Sequence, residues 1–162
     1  MLRKILIVLM SLLVCPCTSA SKPDARPKVI TLSYHKTDGR RYPQAWYDFR
    51  MEENGSYTLV NSTNRPLEKG LQAVVPADVA DSLAQIVREE KMTKYKEHYK
   101  PPFEILDGTS WSLYVRFEDK TSLSSSGYMA WPRGDGLKRL NNYLDNLWKQ
   151  VEGQAETVNI LK

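Results

Sequence analysis

The chain has few of the residues that build reactive or metal-binding centres. Among its 162 residues there are only two cysteines, Cys15 and Cys17. Both fall at the end of an apolar leader, so a chain cleaved beyond them has no thiol, which excludes disulfides, thiol nucleophiles and cysteine-ligated metals from its body. The only two histidines, His35 and His98, exclude a three-histidine metal centre, and we expect each to have a surface or structural role. The sequence therefore predicts neither a metal nor a cofactor.

Other absences narrow the function further. None of the eight glycines has the spacing of a nucleotide-binding loop, and no Gly-x-Ser-x-Gly motif is present. The chain has 23 basic and 19 acidic residues, but Arg3 and Lys4 belong to the leader, which leaves 21 basic residues against 19 acidic ones. The remaining charge is nearly balanced and dispersed, so no nucleic-acid partner is predicted.

Residues 1–20 have the pattern of a signal peptide. Arg3 and Lys4 precede an apolar stretch over residues 5–14, and small residues up to Ala20 form a processing site. The apolar stretch is about ten residues long, whereas a helix needs about twenty to cross a bilayer. We expect cleavage after Ala20 and an exported protein of the periplasm or cell surface.

Lipid attachment is the alternative fate of the leader. Bacterial lipoprotein leaders place a cysteine directly after the apolar stretch, as Cys15 lies here, and Cys17 follows two residues later. A small residue usually precedes that cysteine, whereas Val14 precedes Cys15 and Pro16 precedes Cys17. Free secretion is therefore favoured, and contact with a membrane is expected only through a lipid on one of these cysteines.

The rest of the chain is expected to form one domain. Residues 21–27 are charged and proline-containing, typical of a tether, residues 28–153 form the domain, and residues 154–162 are expected to be a frayed tail. Alternating apolar residues predict strands at 28–36, 44–52 and 110–118, and the short turns after the last two predict partner strands at 56–61 and 121–125. Apolar residues at spacings of three and four predict one helix that begins near Pro76 and another over residues 137–151. Residues 61–72 remain without a predicted conformation, and residues 93–108 are predicted to be a wrapping loop.

This order of elements, β-β-β-α-β-β-α, predicts an α+β fold. We expect an antiparallel sheet of about five strands with the two helices packed on one face, because each ribbon of strands is followed by a helix that can cover it.

The most informative segment for function is residues 126–133. Its side chains Tyr128, Trp131 and Arg133 combine two large aromatic rings with a cation, which suits a sugar ring or a partner protein. These three residues are the predicted binding residues, and no catalytic residue is predicted. The alternative is that Tyr128 and Trp131 cover the edge of the sheet and lock the final helix in place.

The pattern over residues 111–147 resembles small exported proteins of Bacteroides-type gut bacteria. Three parts carry the resemblance: the strand that begins at Trp111, the segment from Ser126 to Pro132, and the leucines of the final helix. The resemblance implies a location in the cell envelope and assigns no catalytic residue.

Together these observations predict a non-enzymatic binding or assembly module of the bacterial envelope, with an unidentified envelope protein or a glycan as its partner. The alternative is a hydrolase that acts on an envelope or dietary polymer through paired carboxylates, for which Glu104 and Asp107 are the candidates.

Overall fold

The computed structural model describes residues 27–39, 43–66, 68–103, 105 and 107–160. The predicted signal peptide, with Cys15 and Cys17, lies outside the described residues, as does the predicted tether except Pro27. The described strands are β1 (Val29–Thr37), β2 (Ala45–Met51), β3 (Tyr57–Asn61), β4 (Lys69–Val75), β5 (His98–Tyr99), β6 (Ser110–Phe117), β7 (Ser122–Tyr128) and β8 (Glu156–Asn159). The helices are α1 (Val79–Glu89) and α2 (Gly136–Val151), followed by short 3₁₀ turns at Met92–Lys94 and Glu152–Gln154.

The described strands form one sheet in the order β5-β7-β6-β1-β2-β3-β4-β8. Neighbouring strands are antiparallel, except that β5 pairs with β7 in parallel. The nine-residue β1 pairs with β2 on one side and with β6 on the other, so the first strand of the domain lies in the middle of the sheet.

The α+β class is confirmed, but the predicted antiparallel sheet of about five strands is wrong: the sheet has eight strands and is mixed. The three additional strands are β4, β5 and β8. Strand β4 overlaps the segment without a predicted conformation, β5 lies in the predicted wrapping loop, and β8 lies in the predicted frayed tail. The alternation of apolar residues recovered only strands that bury a continuous face. Strand β5 has two residues, and β8 is mostly polar, so both depend on the sheet edges to which they add.

One face of the sheet forms the core with both helices. In β6, Trp111, Leu113, Val115 and Phe117 are buried while the residues between them are exposed, which is the two-residue period of a strand with one buried face. Each helix adds an apolar stripe to the same cluster. The stripe of α1 includes Leu83 and Val87, and the stripe of α2 includes Leu140 and Leu144. Among the described residues both helices therefore cover one face, and no described helix covers the other face, which we call the open face.

A polar contact fixes α2 on the core face. The hydroxyl of Tyr47, in β2, donates a hydrogen bond to the Asp145 carboxylate on α2. Burial and this carboxylate together raise the pKa of Tyr47 well above its ordinary value. The neighbouring Tyr34 has its pKa raised to about 12, chiefly by burial and also by the charge of Asp145. Both phenols therefore stay neutral donors at physiological pH.

The C-terminal strand extends the open face at the β8 edge. An added Cβ at Gly70 would lie 2.8 Å from Ile160 Cδ1, Ser62 Oγ and Val60 Cγ1. The missing side chain of Gly70 thus leaves room for Ile160 to pack over β4 and β3. Among the described residues no helix is both long and apolar enough to cross a membrane.

Removal of β8 tests whether residues 154–162 are part of the fold. A chain that ends at Gly153 loses the partner of β4 and the partly buried side chains of Val158 and Ile160. We expect its free energy of unfolding to fall by about 2 kcal/mol, at about 1 kcal/mol for each partly buried aliphatic side chain. The exposed edge of β4 should also promote association. Urea denaturation and size-exclusion chromatography measure both effects. A chain that ends at Ile160 is the control, and equal stability of the two chains would show that β8 adds nothing to the fold.

Candidate functional site

The register of the sheet brings both histidines of the chain onto one row of the open face. His98 in β5 lies opposite Ser126 in β7, Ser126 lies opposite Ser112 in β6, and Ser112 lies opposite His35 in β1. The row continues to Trp46 in β2, which lies opposite His35. Paired residues of neighbouring strands project from the same face, so these five side chains line up across the open face.

The row contributes to a cavity of about 420 Å³, which we call the hydroxyl cavity. Its floor consists of small hydroxyl side chains: Thr37, Ser110, Ser112 and Ser126. Larger side chains form walls on both sides: His35 and Trp46 at one end, and His98, Lys100 and Tyr128 at the other. The cavity exists because the central strands β6 and β7 carry short side chains on this face, between strands that carry long ones.

Three strand spacings of about 4.8 Å separate His98 from His35, so the backbone positions that carry the two walls are about 14 Å apart. Each imidazole is bonded to a partner of its own, His35 to Asp48 and His98 to Ser126. Among the described residues, no three His, Cys, Asp or Glu side chains are grouped so that they could hold a metal. The cavity is instead wide enough for a ring-sized organic ligand between its walls.

One wall is fixed by a three-residue group that we call the Trp46 cluster: His35, Trp46 and Asp48. The imidazole of His35 stacks on the indole of Trp46 with ring centroids 3.6 Å apart and planes 10° apart. The carboxylate of Asp48 bonds to both rings, with Oδ1 3.0 Å from His35 Nε2 and Oδ2 3.0 Å from Trp46 Nε1. A carboxylate only accepts, so Nε2 of His35 carries a proton. The cluster thus holds both rings in one orientation.

The charge of Asp48 is stabilised inside this cluster. Burial alone would raise the pKa of Asp48, but hydrogen bonds from His35, Ser33 and Trp46, together with the charge of His35, outweigh burial and keep the pKa below its ordinary value. Asp48 is therefore ionised at neutral pH, and its two oxygens are already bonded to the rings. It serves as an anchor for the wall.

The opposite wall contains a hydrogen-bonded serine and histidine. His98 Nδ1 lies 2.9 Å from Ser126 Oγ, and His98 Nε2 lies 3.5 Å from Glu97 Oε1. With the ring proton on Nε2, facing the carboxylate, Nδ1 accepts a hydrogen bond from the serine hydroxyl. The His98 and Glu97 side chains are 64% and 77% exposed, so water screens their charges.

A second cavity of about 620 Å³ lies on the same face, towards β8. Its lining includes Ser33, Arg50, Gln72 and Ile160, and it also includes Asp48 of the Trp46 cluster. The guanidinium of Arg50 is paired with Glu52, with Nε 2.8 Å from Oε1. The Trp46 cluster therefore contributes to the walls of both cavities.

The predicted binding residues lie in different places. Tyr128 lines the hydroxyl cavity, and its hydroxyl donates to the carbonyl of Ile105 at 3.1 Å. Trp131 lines another cavity, with Tyr34 and Leu137, on the side of the sheet that the helices cover, and is 45% exposed. Arg133 is exposed beyond it and lines neither cavity. The three side chains therefore do not form one contact surface.

Of the two carboxylates named for a hydrolase, the structure describes only one. Asp107 is exposed in the loop before β6, and Glu104 lies outside the described residues. The sequence analysis missed His35, Trp46 and Asp48 as a group. One feature of the sequence could have indicated this group. Trp46 and Asp48 occupy polar positions on the same face of a predicted strand, and a tryptophan is unexpected on a face that contacts water.

Replacement of the anchoring carboxylate tests the Trp46 cluster. Asp48→Asn leaves one ring N–H facing an amide NH₂ group, so we expect a loss of about 2 kcal/mol in the free energy of unfolding at pH 7. The pKa of Asp48 is lower in the folded state, so its stabilising contribution is complete above the ordinary aspartate pKa of 3.8 and disappears as the pH falls through the folded-state pKa. The difference between variant and wild type should therefore shrink below pH 3.8.

Urea denaturation at pH 7 and at lower pH values measures this difference. Asp107→Asn is the matched control, because that carboxylate is exposed in a loop. If Asp48→Asn were as stable as the control at pH 7, the carboxylate would not anchor the two rings.

Comparisons with known proteins give no relative from which a function could be transferred. The chain matches no protein-family model, no curated protein and no solved structure. The resemblance of residues 111–147 to exported Bacteroides-type proteins therefore stays a prediction, and the function has to be argued from the geometry of the open face.

Proposed function

We propose that the protein is a non-catalytic binding module of the bacterial cell envelope and that it binds a glycan in the hydroxyl cavity. The observation that carries the proposal is the composition of this cavity, a floor of hydroxyl groups between aromatic and imidazole walls. Hydroxyl groups both donate and accept hydrogen bonds, as the hydroxyl groups of a sugar do. Aromatic rings offer flat apolar surface to the C–H groups of a sugar ring.

The two aromatic walls are rigid before a ligand arrives. The indole N–H of Trp46 is bound to Asp48 at 3.0 Å, and the hydroxyl of Tyr128 is bound to the carbonyl of Ile105 at 3.1 Å. Each ring thus satisfies its polar atom within the protein. Binding then requires little additional ordering of side chains, which lowers the entropic cost of association.

The same geometry favours a glycan over a protein partner. A stable protein interface buries about 800 Å² on each partner over a broad patch. The predicted patch of Tyr128, Trp131 and Arg133 is divided between two sides of the sheet, whereas the hydroxyl cavity is concave and about the size of a small ligand site. Export is part of the proposal because residues 1–20 have the pattern of a signal peptide.

Filling the cavity tests the proposal. Ser112 is an exposed floor residue, so Ser112→Phe fills the cavity without disturbing the core. In affinity gel electrophoresis against starch, xylan, dextran, polygalacturonate and dextran sulfate, we expect at least one polysaccharide to retard the wild type. Ser112→Phe should lose at least about tenfold in affinity, equivalent to about 1.4 kcal/mol.

Ser122→Phe is the matched control, since Ser122 is also exposed and projects from the same face but lies outside the cavity. Thermal unfolding checks that both variants fold. Failure of all five polysaccharides to retard the wild type, or equal retardation of Ser112→Phe and the wild type, would overturn the proposal.

The pair of Ser126 and His98 favours a second candidate function, hydrolysis of an ester on the bound ligand. Ser126, His98 and Glu97 have the order of nucleophile, base and orienting carboxylate. It ranks second because the base and the carboxylate are exposed. In addition, the backbone N–H of Ser126, a natural donor to an oxyanion, is bound to the Glu97 carbonyl at 2.9 Å.

A fluorophosphonate probe tests the second function, because it reacts covalently with activated serines. An esterase of this design should be labelled in the wild type and in Ser124→Ala, and labelling should be lost in Ser126→Ala. Ser124 is the control because it is exposed on the same strand and the same face. An unlabelled wild type dismisses the esterase and leaves the binding function in place.

A further inference from the structure

Apart from the phenols of Tyr99 and Tyr128, the ionisable side chains that line the hydroxyl cavity are basic. They are His35, His98 and Lys100, and no aspartate or glutamate is among the described residues that line it. The other polar groups are hydroxyls, which can donate hydrogen bonds to an anion. The cavity therefore offers donors and positive charge but no opposing carboxylate of its own.

The carboxylates that contact the two histidines do not neutralise the cavity. The oxygens of Asp48 are bonded to His35 and Trp46. Glu97 lies beside the outer ring nitrogen of His98 and is largely exposed to water. In the described part of the chain no carboxylate forms an ion pair with Lys100. Lys100 lines the cavity and is exposed, so a negatively charged ligand can reach its ammonium group.

We propose that the ligand of the hydroxyl cavity is an acidic glycan, one that carries carboxylate or sulfate groups. The inference rests on the proposed glycan-binding function and specifies its ligand class. The anionic group binds at the wall formed by Lys100 and His98, and neutral hydroxyl groups of the same sugar face the serine floor. Hydrogen bonds between an ammonium and an anion are about twice as strong as neutral ones, so this contact provides discrimination against neutral glycans.

Three polymers with one backbone test the ligand class: dextran, carboxymethyl-dextran and dextran sulfate. At low ionic strength, affinity electrophoresis should show retardation of the wild type by one or both charged polymers and none by dextran. Whichever charged polymer retards the protein identifies carboxylate or sulfate as the recognised group. Lys100→Gln should raise the dissociation constant by about tenfold, the expected effect of a lost charge-assisted contact.

Lys149→Gln is the matched control. It makes the same change in net charge at an exposed position of α2, on the covered side of the sheet. If binding depended only on net charge, both variants would weaken it equally, and the inference would be overturned. We expect the dissociation constant of Lys149→Gln to stay within about twofold of the wild type.

The cavity-filling variant separates failure of this inference from failure of the proposed function. One outcome would overturn the acidic ligand but keep the glycan site. In that outcome dextran and its charged forms retard the wild type equally, Lys100→Gln has no effect, and Ser112→Phe abolishes the retardation. If any of the three polymers binds Ser112→Phe as well as it binds the wild type, the binding site lies outside the hydroxyl cavity. That result would overturn both the acidic ligand and the proposed glycan site. No retardation by either charged polymer would also overturn the acidic ligand.

Discussion

The burial of one face of the sheet beneath the two helices determines where everything else in the molecule lies. Alternate residues of the long strands project into this core, and the hydrogen bond from Tyr47 to Asp145 adds a polar contact between the sheet and α2. Because side chains alternate along a strand, each buried position places its neighbours on the open face. The open face is therefore occupied by residues that the core does not require, and these residues are available for binding.

The open face differs between its two halves. Towards β8, Val60 and Ser62 are buried although they project away from the helices, because Ile160 packs over the space left by Gly70. Towards β5, the strands carry serines and the surface stays accessible. The His35, Trp46 and Asp48 side chains lie where the two halves meet. This position explains why the Trp46 cluster contributes to both cavities and why its rings can be both partly buried and in contact with solvent.

Sequence patterns were sufficient for the parts of the fold that bury a continuous apolar stripe. Both helices and strands β1, β2 and β6 were predicted for this reason, and β3 and β7 were predicted as their partner strands after short turns. Strands β5 and β8 were missed because their place in the sheet depends on an edge provided by distant residues. Strand β4 follows β3 directly and pairs with it, but its residues show no clean alternation of apolar side chains. The site shows the same limit: Tyr128, Trp131 and Arg133 were predicted as one binding surface, but Met129 follows Tyr128 with a left-handed backbone angle, φ 48°. The chain turns there and carries Trp131 to the other side of the sheet, which no local pattern indicates.

The Trp46 cluster also shows how a partly buried carboxylate can support a basic site. An aspartate that lined the hydroxyl cavity would repel an anionic ligand, but the oxygens of Asp48 are held at 3.0 Å from the ring nitrogens of His35 and Trp46. Its charge is balanced by these donors at short range, whereas Lys100 lines the cavity and is exposed, where the proposed anionic ligand would contact it directly. The electrostatic character of the cavity thus depends on where each charged group lies. Asp48 orders the wall and faces the two rings, whereas the basic side chains face the cavity.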